Sequence, residues 1–181
     1  MDISFAAHRV GDKTEIATET GLIRVLHTPG HTPNHISFAL NLDGEDKALF
    51  TGGSLLFGSV GRPDLLGPEL TEPLARAQWA SMRRLAAEVS ATAEVFPTHG
   101  FGSFCSATAT VGTSSTLADQ VLSNPAFTVD EETFVADLIP FDYEPIGKGS
   151  LGWAIRAPSL DVPVLDSIVD WIIPGSQDRL D

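Results

Sequence analysis

Apolar and polar positions alternate along the first part of the chain in a way that predicts short β-strands. Residues 21–27 form a mainly apolar run, and residues 35–42 alternate so that every second side chain is apolar. Asp43-Gly44 then predicts a tight turn into a returning strand at 47–51. A short apolar run at 93–97 predicts a further strand.

Helical periodicity begins after the second strand pair. The strongest signal covers residues 71–90, with Thr71 as the expected cap, Pro73 in the expected first turn, and one side formed by Leu74, Gln78, Met82, Leu85 and Val89. Two shorter helices are predicted at 115–123 and 130–138, the second capped by Asp130.

The tail has a different character from the rest of the chain. It contains Trp153 and Trp171, and it predicts one helix near 162–173 whose apolar side we expect to dock onto the domain. We therefore divide the chain into a domain at 1–138 and a divergent tail at 139–181.

Composition and charge narrow the classes of function. The chain has 181 residues, 43% of them hydrophobic, which is ordinary for a globular domain. Its net charge of -13 disfavours nucleic acid and anionic membrane partners. A single cysteine excludes an internal disulfide framework, and neither a signal peptide pattern nor an apolar run long enough to span a membrane is present. We expect a cytoplasmic protein.

Candidate chemistry lies in short loops that follow strands. TPGH at 28–31, TGGS at 51–54 and PTHG at 97–100 each contain glycine or proline, and two of them carry a histidine, His31 and His99. Loops on rigid strands often hold functional groups. Neutral imidazole is a common ligand of zinc and also suits iron. His31 and His99 are therefore candidate metal ligands.

The other histidines and the cysteine also have structural interpretations. His8 fits a surface position, His27 fits a structural hydrogen bond, and His35 fits either a pocket wall or the start of a strand. Cys105 has no charged residue within four positions to lower the pKa of its thiol, so a small buried thiol is the better interpretation.

Arg62 has two interpretations. Asp64 follows it by two residues, a spacing that favours a local salt bridge. The planar guanidinium is also well shaped to bind a substrate carboxylate. The spacing alone favours the salt bridge.

Three segments together resemble a known family. HTPGHTPNHISFAL, ALFTGGSLLFGSVGRPDLL and VFPTHGFGSFC are similar to consecutive motifs of the metallo-β-lactamase superfamily. The most similar branch contains hydroxyacylglutathione hydrolases (glyoxalase II), persulfide dioxygenases and their rhodanese-fused relatives. The resemblance covers about residues 8–138. It implies an α+β protein, an αββα sandwich represented mainly by its C-terminal half.

The resemblance also implies a metal site that binds zinc or iron. Family ligands come from an HxHxDH motif, the histidine of TPGHT, the aspartate of TGD and the histidine of GHG. The motif match makes His31 and His99 ligands and places Arg62 near the substrate pocket. A glutathione-type substrate follows only if that site is completed.

Two departures from the family pattern weaken the implied site. HxHxDH is absent, and Gly53 stands where the family has aspartate. A catalytic zinc usually has three protein ligands, so His31 and His99 alone fall short. We therefore expect this chain alone to bind no metal tightly and to be inactive.

The same departures leave the meaning of the chain open. The family resemblance implies that a second sheet normally covers the first, so a homodimer or a complementing N-terminal half is expected to cover an exposed apolar sheet face. The alternatives to a piece of a metalloenzyme are a metal-free binding or assembly module and a truncated gene product.

Overall fold

The computed structural model describes residues 9–98 and 114–139. All of them belong to one compact unit. The predicted tail helix at 162–173 lies outside the described residues, so the predicted division at 138 stays a prediction. Among the described residues, no helix combines the length and the apolarity that crossing a bilayer requires.

A five-stranded mixed sheet forms the centre of the described structure. Its strands stand in the order β1-β2-β3-β4-β7, antiparallel except for the parallel pair β4 and β7. The strand bounds are β1 Glu15–Ala17, β2 Leu22–His27, β3 Ile36–Leu42, β4 Glu45–Gly52 and β7 Glu94–Pro97. A small hairpin of β5 Leu55–Leu56 and β6 Ser59–Val60 lies between β4 and the first helix.

Four helices complete the described structure. They are α1 Pro68–Glu88, α2 Leu117–Ser123, α3 Pro125–Thr128 and α4 Glu131–Leu138. The predicted cap of α4 is confirmed, because the Asp130 side chain accepts a hydrogen bond from the backbone N–H of Thr133. A mixed sheet with helices agrees with the expected α+β class.

The hairpin of β3 and β4 follows directly from the sequence. Asp43 has a φ of 53° and Gly44 a φ of 84°. Two successive positive φ values are what a type I′ hairpin turn requires, and Asp-Gly adopts them at little cost. The expected turn and its two flanking strands are confirmed.

The first helix begins earlier than the sequence predicted. Thr71 is not the cap; it lies inside α1 and its hydroxyl donates to the carbonyl of Gly67, which is the residue before the helix. Pro68 occupies the first turn, where a missing N–H costs nothing, whereas Pro73 lies inside the helix. The helix therefore starts at Pro68 rather than at the predicted residue 71.

One face of the sheet packs against α1 to form the core. Ala39, Leu49 and Val95 are fully or almost fully buried on this face. They belong to one apolar cluster that also contains the α1 side chains Ala75, Met82 and Leu85. Burial of this apolar area is the main stabilising contribution to the unit.

The opposite face of the sheet carries a row of aromatic side chains. Phe38 pairs with Phe50 and Phe50 pairs with Phe96, so all three lie on the same face. The rings of Phe50 and Phe96 stack with centroids 5.3 Å apart. Phe50 is 44% exposed and Phe96 is 40% exposed. We call Phe38, Phe50 and Phe96 the aromatic face.

Candidate functional site

The strand topology brings the candidate loops to one end of the sheet. Strands β2, β4 and β7 run in the same direction, because β3 is antiparallel to both β2 and β4, and β7 is parallel to β4. Their C-terminal ends therefore meet at one edge. The Thr98 N–H donates to the carbonyl of Gly52 at 3.0 Å, which joins the loop after β7 to the loop after β4.

His31 is held in one tautomer by a backbone carbonyl. Its Nδ1 lies 2.9 Å from the carbonyl oxygen of Arg62. Because a carbonyl can only accept, Nδ1 of the ring donates, and the lone pair of the neutral ring is on Nε2. Metal-ligating histidines are commonly oriented in this way. The local geometry therefore suits His31 to ligation through Nε2.

Gly61 lets the His31 ring lie close to two loops at once. A Cβ atom at position 61 would stand 2.6 Å from His31 Nδ1 and 2.1 Å from the carbonyl oxygen of Gly53. Both distances are far below van der Waals contact, so a larger residue here would displace either the ring or the turn at Gly53. The loops that begin at residues 28, 52 and 61 thus converge on His31.

Arg62 forms the local ion pair that its spacing favoured. Its Nε donates to Asp64 Oδ1 at 2.9 Å, and a second guanidinium nitrogen donates to Oδ2 of the same carboxylate. The Asp64 side chain is 4% exposed and the Arg62 side chain 20% exposed. A two-pronged pair of this kind fixes the guanidinium at the edge of the site.

His35 contacts both candidate loops. Its Nδ1 lies 2.9 Å from Thr28 Oγ1, and its Nε2 accepts from the Gly53 N–H at 3.3 Å. The rings of His31 and His35 have centroids 6.4 Å apart. The sequence offered two interpretations of His35, a pocket wall or the start of a strand. Its contacts with both loops favour the pocket wall.

Helix α1 supports the loops from the helix side of the sheet. Gln78 is fully buried and its Nε2 donates to the carbonyl of Ser54 at 2.9 Å. Ser81 donates from Oγ to the carbonyl of Pro29 at 2.7 Å. In the sequence, Gln78 falls on the apolar side of the helix, and its role there was not predicted. A polar residue within an apolar stripe was the available signal.

Gly53 contributes no side chain to this site. It is buried at the end of β4, next to the hydrogen bond from its N–H to His35. Within residues 9–98 and 114–139, no group of three or more His, Cys, Asp or Glu side chains is placed to hold a metal ion. The described residues therefore supply one well-oriented histidine and do not fit a complete metal site.

The remaining candidate residues divide into one structural histidine and three undescribed positions. His27 has the expected structural role, because its Nε2 lies 3.2 Å from the carbonyl oxygen of Pro33 and donates to it. His8, His99 and Cys105 lie outside the described residues.

Known relatives match this sequence over part of its length. No family model matches it. Hydroxyacylglutathione hydrolase of Cereibacter sphaeroides is 39% identical over 87 residues, which are 48% of this chain and 28% of that protein. Its counterpart in Prochlorococcus marinus is 41% identical over 64 residues, 25% of that protein. The chain thus spans about a quarter of the length of these curated relatives.

Solved structures give the same result at the level of the fold. A metallo-β-lactamase from Staphylococcus aureus matches 76% of this chain at 33% identity and a TM-score of 0.66, and the chain covers 40% of it. The structure of ETHE1 from Myxococcus xanthus matches 87% of this chain at 24% identity and a TM-score of 0.61, and the chain covers 63% of it. The expected α+β metallo-β-lactamase fold is confirmed. Over the part that they match, this chain is therefore similar in sequence to hydroxyacylglutathione hydrolases and has the metallo-β-lactamase fold.

Proposed function

We propose that this chain is a metallo-β-lactamase-type protein that does not by itself carry out the metal-dependent chemistry of its relatives. The observation that carries the proposal is Gly53. It lies in the turn at the end of β4, beside the His31 and His35 loops, and it has no side-chain atom that could ligate a metal as the family aspartate does. The resemblance implies two metal ligands in this chain, His31 and His99. A catalytic zinc usually has three protein ligands, one more than these.

Loss of a carboxylate at this position has an electrostatic cost as well as a geometric one. A carboxylate side chain supplies both a bond and a negative charge to a divalent cation, and the side chain of glycine supplies neither. The acidic residue that follows Gly53 most closely, Asp64, is already engaged by Arg62. Since a metal-bound hydroxide near neutral pH requires a held metal, we assign no catalytic step to this chain alone.

A second candidate function is supported by His31. Its Nδ1 donates to the Arg62 carbonyl, so the lone pair of the neutral ring is on Nε2. Nε2 would be the ligating atom if ligands from elsewhere completed a zinc or iron site. In that assembly Arg62 would bind near the substrate, and the substrate class would be glutathione thioesters or persulfides. We further propose a cytoplasmic location, in line with the Arabidopsis thaliana relative named as a cytoplasmic hydroxyacylglutathione hydrolase.

The test restores the missing carboxylate. Gly53 is not among the described glycines with positive φ, so its backbone conformation does not disfavour an L-residue. We expect Gly53→Asp to bind zinc at least about tenfold more tightly than Gly53→Asn, which has nearly the same size without the charge. Zinc competition against a fluorescent chelator measures both affinities.

Two controls make the result specific. The gain in Gly53→Asp should disappear when His31→Ala is added, because His31 is the proposed second ligand. It should persist with His27→Ala, since the His27 ring binds the Pro33 carbonyl instead. Equal zinc affinity in the Asp and Asn variants would contradict the proposal, and so would a wild-type affinity equal to that of Gly53→Asp.

A further inference from the structure

We infer that His35 is a positioning residue that ties the loop carrying His31 to the turn containing Gly53. This inference concerns the same site as the proposed function, and it rests on that proposal only in the experiment that measures zinc affinity. We do not propose His35 as a metal ligand. Its role is to fix the distance and orientation between residues 31 and 53 through two hydrogen bonds of one imidazole ring.

The hydrogen bonds define the state of the ring. Nε2 of His35 accepts from the Gly53 N–H at 3.3 Å, so in the neutral ring the proton is on Nδ1. Nδ1 then donates to Thr28 Oγ1 at 2.9 Å. The Thr28 hydroxyl, having accepted this bond, can donate to Ser37 Oγ at 2.8 Å. The result is a directed chain of donors from the turn through the ring to strand β3.

Both hydroxyl groups in this chain are buried. Thr28 and Ser37 have no exposed surface. A buried hydroxyl that loses its partner bears the full cost of desolvation, so each member of the chain holds the next in place. The ring orientation is therefore set from the interior of the protein rather than by solvent.

The turn is shaped to receive the ring. Gly52 has a φ of 55°, and a Cβ atom at this position would lie 2.7 Å from His35 Nε2. Glycine is thus required for two reasons, a left-handed backbone and a close approach of the ring. His35 and Gly52 are distant in the sequence, but in the structure the histidine ring packs directly against the glycine.

The tie also closes the loop that carries His31. The Thr28 N–H donates to the carbonyl of His35 at 2.9 Å, so the backbone joins the two ends of the loop where the side chains also meet. His31 lies between these ends, and its own ring is held by the Arg62 carbonyl. Movement of residue 53 relative to His31 therefore requires breaking a contact of His35.

Two substitutions separate the two contacts of the ring. In His35→Gln the side-chain amide reaches the position of Nε2 and can accept from Gly53. In His35→Asn the amide reaches only the position of Nδ1 and can bind only Thr28. We expect the Gly53 amide to exchange with deuterium about five- to tenfold faster in His35→Asn than in His35→Gln, as loss of one hydrogen bond implies. Nitrogen NMR of the wild type should show His35 protonated on Nδ1.

A second readout distinguishes positioning from general stability. In the Gly53→Asp background, His35→Asn should bind zinc about tenfold more weakly than His35→Gln, while the urea midpoints of the two remain equal. Equal Gly53 exchange in the two variants, or a proton on Nε2, would overturn the inference. If Gly53→Asp itself gains no zinc affinity, the proposed function fails, and the exchange and tautomer measurements still decide the role of His35.

Discussion

Gly30 shows at the scale of one residue how closely the His31 loop approaches helix α1. It has a φ of 149°, and a Cβ atom there would lie 2.0 Å from Gln78 Oε1 and 2.6 Å from Gln78 Cα. The second of these contacts is with backbone, which cannot rotate away. We expect Gly30→Ala to lower the free energy of unfolding by at least about 2 kcal/mol, from backbone strain and overpacking together. Urea unfolding measures the change.

Gly11→Ala is the matched control for this prediction. A Cβ atom at Gly11 would meet nothing within 4 Å. We expect its effect to stay within about 0.5 kcal/mol, as for other surface substitutions. Equal stability of the Gly30 and Gly11 variants would show that the loop does not rest against α1 as described.

Single residues were predictable where their partners are near in sequence. The ion pair of Arg62 with Asp64 follows from their short spacing, and the structural hydrogen bond of His27 follows from its position at the end of a strand. The roles of Gln78 and His35 did not follow, because their partners Ser54 and Gly53 lie 24 and 18 residues away. Contacts of that kind depend on how the strands pair, which no local pattern specifies.

Whole elements were predictable where turn chemistry and hydrophobic period agree. Strands β3 and β4 have an alternating pattern and an Asp-Gly turn, and both were predicted within two residues of their bounds. Strand β1 and the hairpin of β5 and β6 were missed. These strands are two or three residues long, which is too short to show an alternation of apolar and polar residues. They are stabilised by pairing with neighbouring strands.

At the scale of the whole molecule, the aromatic face is the unusual feature. Phe50 and Phe96 stack with 44% and 40% of their surfaces exposed, and an apolar patch of this kind on a sheet face can mark an interaction site. We expect a second copy of the chain to cover it, so that the wild type sediments at about twice its mass of 19.2 kDa. Phe50→Glu should return the protein to the monomer, because a charge would replace one ring of the stacked pair and would be buried between the two copies.

Leu122→Glu is the control for this experiment. Leu122 is 79% exposed on helix α2, outside the aromatic face, so its substitution should leave the mass unchanged. Sedimentation equilibrium of the three proteins decides the question. A monomeric wild type, or an equal shift in both variants, would contradict the expected pairing through this face.

The central claim is that Gly53 leaves this chain without a complete metal site. Its most direct test is the metal content of the wild-type chain, measured by plasma mass spectrometry after incubation with zinc or ferrous iron and removal of unbound ions. We expect far less than one ion per chain. One tightly held ion per chain, lost on His31→Ala, would contradict this expectation and would mean that other groups replace the missing carboxylate.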